Sequence, residues 1–415
     1  MKLHLPTINQ FASLLVLNIT NAAFQLLLIP ILIHHTNNEN LGAYFIALSY
    51  SVLVSILINF GTSQTAVVEI RKATTEQAQQ KILAETIAVR TLPLVIAMLV
   101  TCIFSLITNN GLYFFLLIPI LLAEYINPQF YLIAKYKINK YTFYNLLLRI
   151  VLIAVVYFTR KNTSLIEITI IGTGLTVLLL NLIYLPSTFL KTGTLKSIPS
   201  VQHLKTIIRT NSLVVGNGLT VHLQQSMFLF ALPTFTTPLF VSAYGFMDKL
   251  ISSFRLIVNA YTSALMPQAA SAHELGFNHW KNLKQQQNKI LAVCCIMAGA
   301  IMYIFPSQLL TILLLGKNNE AAIFKEATSL MRMTSAVPFL IALNVLNVAE
   351  LILEKKFMAY FIAGVFIMAT SFLCLSLFSW GLPAQYAGYY PMVIEGVCLI
   401  VYMVIVKKLR NANQS

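Results

Sequence analysis

LGAYFIALSYSVLVSILINFGTSQTA, residues 41–66, decides the architecture of this chain. An apolar run of that length crosses a hydrocarbon core of about 30 Å as a single helix. The same pattern returns, without gaps, 200 positions later as VSAYGFMDKLISSFRLIVNAYTSALM, residues 241–266. Ala43/Ala243, Tyr44/Tyr244, Asn59/Asn259, Thr62/Thr262 and Ser63/Ser263 coincide, and aliphatic residues face each other at 56–58 and 256–258. Pro30 and Pro233 correspond to within three residues. A duplication is implied, with one copy of this segment in each half of the chain.

Working outward from those two segments, apolar runs of spanning length occupy about 9–33, 41–64, 82–107, 112–134, 141–158, 165–188, 208–232, 237–264, 287–310, 326–352, 357–380 and 385–406. The 415 residues are 58% hydrophobic and 10% charged, with mean hydropathy +0.77. Soluble domains carry about 25% charged residues. The expected fold class is an all-α polytopic membrane protein of twelve transmembrane helices. Residues 189–207, with Gly193, Pro199 and several hydroxyl side chains, read as a linker between a six-helix lobe over 1–188 and a second over 208–415. Six spans return the chain to its starting side. The halves are therefore expected to be parallel repeats about a pseudo-two-fold axis along the membrane normal, an arrangement in which substrate sites lie between the halves.

Positive charge sets the orientation. Lys2; Arg71, Lys72 and Lys81; Lys135, Lys137 and Lys140; Lys191, Lys196, Lys205 and Arg209; Lys281, Lys284 and Lys289; Lys355 and Lys356; and Lys407, Lys408 and Arg410 all fall between alternate spans, whereas the opposite loops hold only Arg160, Lys161, Lys317 and Lys325. The positive-inside rule puts both termini in the cytoplasm. The net charge of +15 follows from these topology signals and anionic headgroups, so no nucleic-acid partner is implied. The first run is too long and too polar for a cleaved signal and is expected to stay as a helix. Cys102, Cys294, Cys295, Cys374 and Cys398 sit inside spans, show no metal-ligand spacing and are expected as free thiols.

Polar residues recur at helical spacing within several spans. Asn18, Asn21 and Gln25 share a face of the first, and Ser51, Ser55, Asn59 and Thr62/Ser63 a face of the second. Asn211, Gly218, His222 and Gln225 do so on the seventh, and Asp248, Ser252, Arg255, Asn259 and Thr262 on the eighth. Such stripes line a polar passage or pack helices together. Ionisable groups within spans are costly in lipid, at least about 2.5–3.5 kcal/mol each, and so mark function. Those well away from the span ends are Arg90, Glu124, Arg149, Asp248, Lys249, Arg255 and Glu395. The cations are candidates to hold an oxyanion, Arg better than Lys because it binds bidentately. The alternative is internal pairing, Arg90 or Arg149 with Glu124, and Lys249 with Glu395. Asp248 and Glu124 are candidates to bind a coupling ion, H+ or Na+, with Asp248 alternatively the counter-ion of Lys249 or Arg255.

The segment from Asn18 to Ile70 resembles the opening of Wzx-type polysaccharide flippases of the multidrug/oligosaccharidyl-lipid/polysaccharide exporter superfamily. Its Leu41-Gly42-x-Tyr44 start and its Phe60-Gly61-Thr62-Ser63 close carry the likeness. Tyr244, Asp248, Lys249 and Pro267 on the eighth span, and LLLGKNNEAA over 313–322, are similar to further family patterns. The resemblance implies two bundles set as a V around a central cavity that opens to either membrane face in turn. The implied cargo is an undecaprenyl-pyrophosphate-linked oligosaccharide of O-antigen or capsule type, flipped to the periplasmic leaflet by ion-coupled alternating access. Arg255, Arg149, Arg90, Lys249, Asn59, Asn259, Asn21, Gln25 and Gln225 are then the expected cavity residues. Membrane lipids, and the polymerase and chain-length regulator of the same pathway, are the implied partners of a monomer with no cofactor.

Related murein-lipid flippases concentrate arginines on their first, second and eighth spans; here the first two have none, and two further carboxy-terminal spans are missing. A multidrug or small-molecule cation antiporter of the same superfamily is the alternative, although acids on the opening helices are absent. A membrane polysaccharide polymerase fits less well, since no loop exceeds about 20 residues and no nucleophile elbow, zinc motif or phosphate loop appears. The protein is not expected to be an enzyme.

Overall fold

In a computed structural model, residues 5–108, 110–135, 137–189, 201–313, 321–354 and 356–412 are described. The chain forms two compact units, one of Met1–Phe24 with His35–His222 and the other of Gln25–His34 with Leu223–Ser415. Two boundaries differ from the expected lobes. The second unit takes a segment of the first helix, and the division falls within a helix at 222/223 rather than near 208. Most of the expected linker, 190–200, and the Gly-containing turn at 314–320 lie outside the described residues; 201–207 already belong to a helix.

The first unit holds most of α1 (Leu5–His35), then α2 (Asn38–Asn59), α3 (Thr62–Lys72), α4 (Glu76–Ile107), α5 (Gly111–Phe115), α6 (Ile118–Tyr125), α7 (Gln129–Ala134), α8 (Ile138–Phe158), α9 (Leu165–Phe189) and the start of α10 (Val201–Ala231). Asn37 and Thr75 cap α2 and α4, their side chains accepting from the Asn40 and Ala78 amides. Helix α6 packs on α9, α2 on α4 and α6, and α3 on α7. Apolar clusters form around Ile70, Leu83 and Phe130, and around Leu17, Ile138, Tyr141 and Leu180.

The second unit continues with α11 (Pro238–Glu274), α12 (Phe277–Ile304), α13 (Pro306–Leu313), α14 (Ala321–Met333), α15 (Val337–Leu353), α16 (Phe357–Ser379) and α17 (Tyr390–Ala412), a 3-10 turn at Ala384–Tyr389 preceding the last. Helix α15 packs against α12, α17 and α11, around Ile251, Val258, Leu291, Val337 and Leu346.

Both units show the polarity of proteins dissolved in lipid. On α4, Leu92, Val95, Ile96, Leu99 and Ile103 form an outward apolar stripe at i, i+3, i+4, i+7 and i+11, while Arg90 and Thr101 of the same helix are wholly buried. Among the described residues eight helical segments pass a spanning test of length and hydropathy, and a ninth does so as the pair α14–α15, bent by 45°. Helices α10, α11 and α17 are also long enough to cross, at 31, 37 and 23 residues, but carry more polar side chains. The expected twelve crossings are thus accounted for, in an all-α polytopic membrane protein.

The spans are not all continuous. The fourth breaks between α6 and α7 at residues 126–128, where Pro128 disfavours helical geometry at Asn127. The second ends at Asn59, because Phe60 (φ 48°) and Gly61 (φ 67°) turn left-handed before α3.

Candidate functional site

In the first unit the two breaks meet in one buried polar knot. Helix termini leave backbone carbonyls without intrahelical partners, and Arg90 of α4 supplies donors to those of the fourth span. Its Nη1 donates to the carbonyls of Glu124, Tyr125 and Asn127 at 3.2, 3.4 and 3.2 Å. Its Nε reaches Thr62 Oγ1 at 2.9 Å and its Nη2 reaches Ser63 Oγ at 3.0 Å, at the start of α3. The Phe130 ring lies under the guanidinium at 5.0 Å. Arg90 is 0% exposed. Its donors are engaged within the unit.

The Glu124 carboxylate is held by Asn59 Nδ2 at 3.0 Å and Asn127 Nδ2 at 3.2 Å. Asn59 Oδ1 in turn accepts from the Ser63 amide at 3.1 Å. Asn59 thus terminates α2, starts α3 and holds a carboxylate. Its repeat counterpart does none of this: Asn259 lies inside the continuous α11 and is exposed.

Arg149 of α8 is the contrasting cation. Its guanidinium sits 4.3 Å from the Phe24 ring centre, and its Nε and Nη1 are buried without a hydrogen-bond partner. No ion pair of Arg149 is found among the described residues. Among the described residues, the phenols of Tyr141 and Tyr44 act on its charge. One turn earlier on the same helix, Asn145 Nδ2 donates to Asn21 Oδ1 at 3.2 Å, bringing two polar positions of α1 and α8 together. Gln25, the next polar residue of the α1 stripe, is half-buried and falls in the second unit.

In the second unit, Arg255 of α11 binds Glu395 of α17, with Nη2 and Nε 2.8 and 3.2 Å from Oε1. Lys249 is buried and pairs with Asp248 at 3.4 Å. Of the pairings open from the sequence, Asp248 as counter-ion of Lys249 is the one found, and Glu395 goes to Arg255 instead. Arg255, Asp248 and Gln225 line a cleft with Gln224, Tyr244 and Tyr390, with a volume of about 10 Å³, room for about one water. Tyr390 closes one wall, donating from its hydroxyl to the Gln224 carbonyl at 2.7 Å and stacking on Phe228 at 4.1 Å.

A third polar cluster was not anticipated. Lys284 lies within α12, 7% exposed, and donates to Asn347 Oδ1 and Glu350 Oε2 of α15, both at 2.7 Å. Charge patterning alone assigns Lys284 to a cytoplasmic loop. The signal that finds it is the i, i+3 pair Asn347/Glu350, a polar face on an otherwise apolar span.

No protein-family model matches the chain, and no curated protein matches it. Solved structures do. The chain is similar to an inward-facing multidrug resistance transporter of the MATE family in the MOP superfamily, at a TM-score of 0.72 and 13% identity over 97% of this chain and 99% of that one. It is similar to the eukaryotic MATE transporter AtDTX14 (TM-score 0.68, 16% identity, 97% and 95% covered). A third match is a MOP superfamily transporter from Pyrococcus furiosus, whose reversed pocket polarity is described as suggesting a different function (TM-score 0.54, 12% identity, 98% and 96% covered). At these identities the likeness establishes the fold: this is a multi-pass membrane protein with the fold of the MATE transporters of the MOP superfamily.

Proposed function

We propose that the protein moves an anionic amphiphile across the bilayer by alternating access, and that this amphiphile is an undecaprenyl-pyrophosphate-linked oligosaccharide. The observation that carries this reading is Arg149. Arg149 is half-buried, but two of its guanidinium nitrogens are buried with no hydrogen-bond partner; that is costly, and a substrate that brings an anion removes the cost on binding. Within the first unit the mid-span carboxylate Glu124 is held by two asparagines rather than by Arg149. That polarity suits a phosphate-bearing cargo better than a cationic drug. Asn21, Gln25 and Gln225 are assigned to the sugar, because amides donate to and accept from hydroxyls. Asp248 and Glu124 are the assigned positions for a coupling H+ or Na+. A cytoplasmic orientation of both termini, in a bacterial inner membrane, belongs to the same reading.

A second reading is multidrug antiport, and the solved proteins favour it, since two of those named above are MATE transporters, one of them a multidrug resistance protein. One experiment separates the two. In cells that depend on this protein to display a surface glycan, Arg149→Ala at normal protein level is expected to abolish display and Arg149→Lys to retain part of it. Unchanged display in the alanine variant, together with drug susceptibility that rises when the protein is removed, establishes the antiporter instead.

A further inference from the structure

The bent pair α14–α15 frames a cavity with no part in the reading above. Helix α14 is amphipathic. Ile323, Ala327, Leu330 and Met331 are buried against the unit, whereas Lys325, Thr328, Ser329 and Arg332 fall at i, i+3, i+4 and i+7 on the other face. Those four line a cavity of about 740 Å³ with Tyr303 and Tyr389, a volume of the size that holds small-molecule ligands. Its floor is the break itself. Ser335 and Ala336 line it, and α12 approaches so closely that a Cβ at Gly299 would collide with the Ser335 carbonyl.

Its charge is one-sided. Both ionisable side chains that line it with certain sign are cations, and no lining residue is acidic. Among the described residues neither Lys325 nor Arg332 has a carboxylate within ion-pair distance. The cations stand two turns apart on α14, about 10 Å along its axis, with two hydroxyl side chains between them. Guanidinium and ammonium groups suit phosphate oxygens, and the hydroxyls suit the neighbouring polyol.

Exposed aromatic side chains mark the depth of this end of the unit, and two of them, Tyr303 and Tyr389, line the cavity. Tyr303 ends α12, Trp380 follows α16, and Tyr386 and Tyr389 belong to the turn that packs on α14; all four are exposed, Trp380 to 81%. Exposed Trp and Tyr gather where hydrocarbon gives way to headgroups. The cavity therefore opens at the level of lipid phosphates.

The geometry points to a binding site for the phosphate headgroup of an anionic membrane lipid in this cavity, formed by Lys325, Arg332, Thr328 and Ser329 and separate from the transported substrate. The site takes a lipid from the surrounding leaflet, and the two tyrosines border its apolar part.

The test uses the full-length protein in detergent, titrated with mixed micelles of phosphatidylglycerol or of phosphatidylcholine, and with inorganic phosphate against chloride at equal ionic strength. Thermal unfolding and tryptophan emission are read. Phosphatidylglycerol is expected to saturate both signals where phosphatidylcholine does not. Arg332→Ala is expected to weaken half-saturation about tenfold, the loss of one hydrogen bond between charged groups; Lys325→Ala is expected to weaken it too, and Arg332→Lys to fall between. Both side chains are exposed, so unfolding without lipid should be unchanged, and Lys325→Ala serves if the Arg332 variant is not folded. Equal response to the two lipids, or the same half-saturation in both alanine variants as in the wild type, overturns the proposal. So does inorganic phosphate that saturates the signals as well as the lipid does, because the occupant is then a soluble phosphate.

Discussion

Arg90 and Glu124 are joined through the backbone: the guanidinium donates to the Glu124 carbonyl at 3.2 Å, while the Glu124 carboxylate is held by Asn59 and Asn127. Charge attraction contributes, but the directed contacts of Arg90 go to main-chain oxygens stranded where the fourth span breaks. The pair therefore ties α4, the α2–α3 turn and the α6–α7 break into one joint.

Replacing Arg90 strands those carbonyls and leaves Glu124 without its neighbouring cation. Arg90→Met is expected to lower stability by about 3–5 kcal/mol. Arg90→Lys should recover only part of that, because an ammonium has three donors and cannot reproduce the planar fork. Thermal unfolding of the detergent-purified variants reads both losses. An Arg90→Met variant as stable as the wild type would show that the joint is held by something else.

The ion pair of Arg255 and Glu395 makes a different prediction. Removing one partner leaves a buried charge, so Arg255→Met or Glu395→Met alone should cost about 3 kcal/mol, whereas the double variant should approach wild-type stability. The transport readout then separates structure from function. A stable but inactive double variant assigns Arg255 or Glu395 to the cargo or the coupling ion; a stable and active one confines both to packing.

Lys284 and Glu350 allow the same cycle at the other polar cluster of the second unit. Lys284→Met is expected to be the most damaging single change there, by about 3–5 kcal/mol, since it strands a carboxylate that is 2% exposed. Glu350→Gln, which keeps an acceptor for the ammonium, should cost less. Unfolding midpoints of the two variants, measured side by side, give the order.

Gly61 carries a backbone prediction. At φ 67° a side chain meets the following carbonyl, so Gly61→Ala is expected to cost about 1–2 kcal/mol. Restoring helical geometry across the turn would also pull Asn59 away from Glu124. Thermal unfolding of the purified variant reads the loss, and unchanged stability would mean that the turn is not held by its conformation.

The segments that cross the bilayer were legible because apolarity over about 20 residues is a property of the chain alone. The second span's polar face was legible too, for Ser51, Asn59, Thr62 and Ser63 follow helical spacing. The repeat misled at one point. It equated Asn59 with Asn259, yet the residues that follow are Phe60-Gly61 in one copy and Ala260-Tyr261 in the other, and only the glycine copy turns left-handed. Ion pairing was beyond reach in principle. Glu395 lies 140 positions from Arg255 and 146 from Lys249, and no periodicity within a helix reports which of two neighbouring cations will face another helix. Lys284 was hidden for a related reason: the positive-inside rule counts cations near span ends without asking which of them turn inward.

The grip of Arg90 on main-chain oxygens has an evolutionary corollary. Every amino acid at positions 124, 125 and 127 carries the same carbonyl, so the anchor tolerates drift in the identity of the residues it clasps. Relatives that keep this arginine are expected to vary freely at Tyr125 while preserving the proline that exposes the oxygens in the first place.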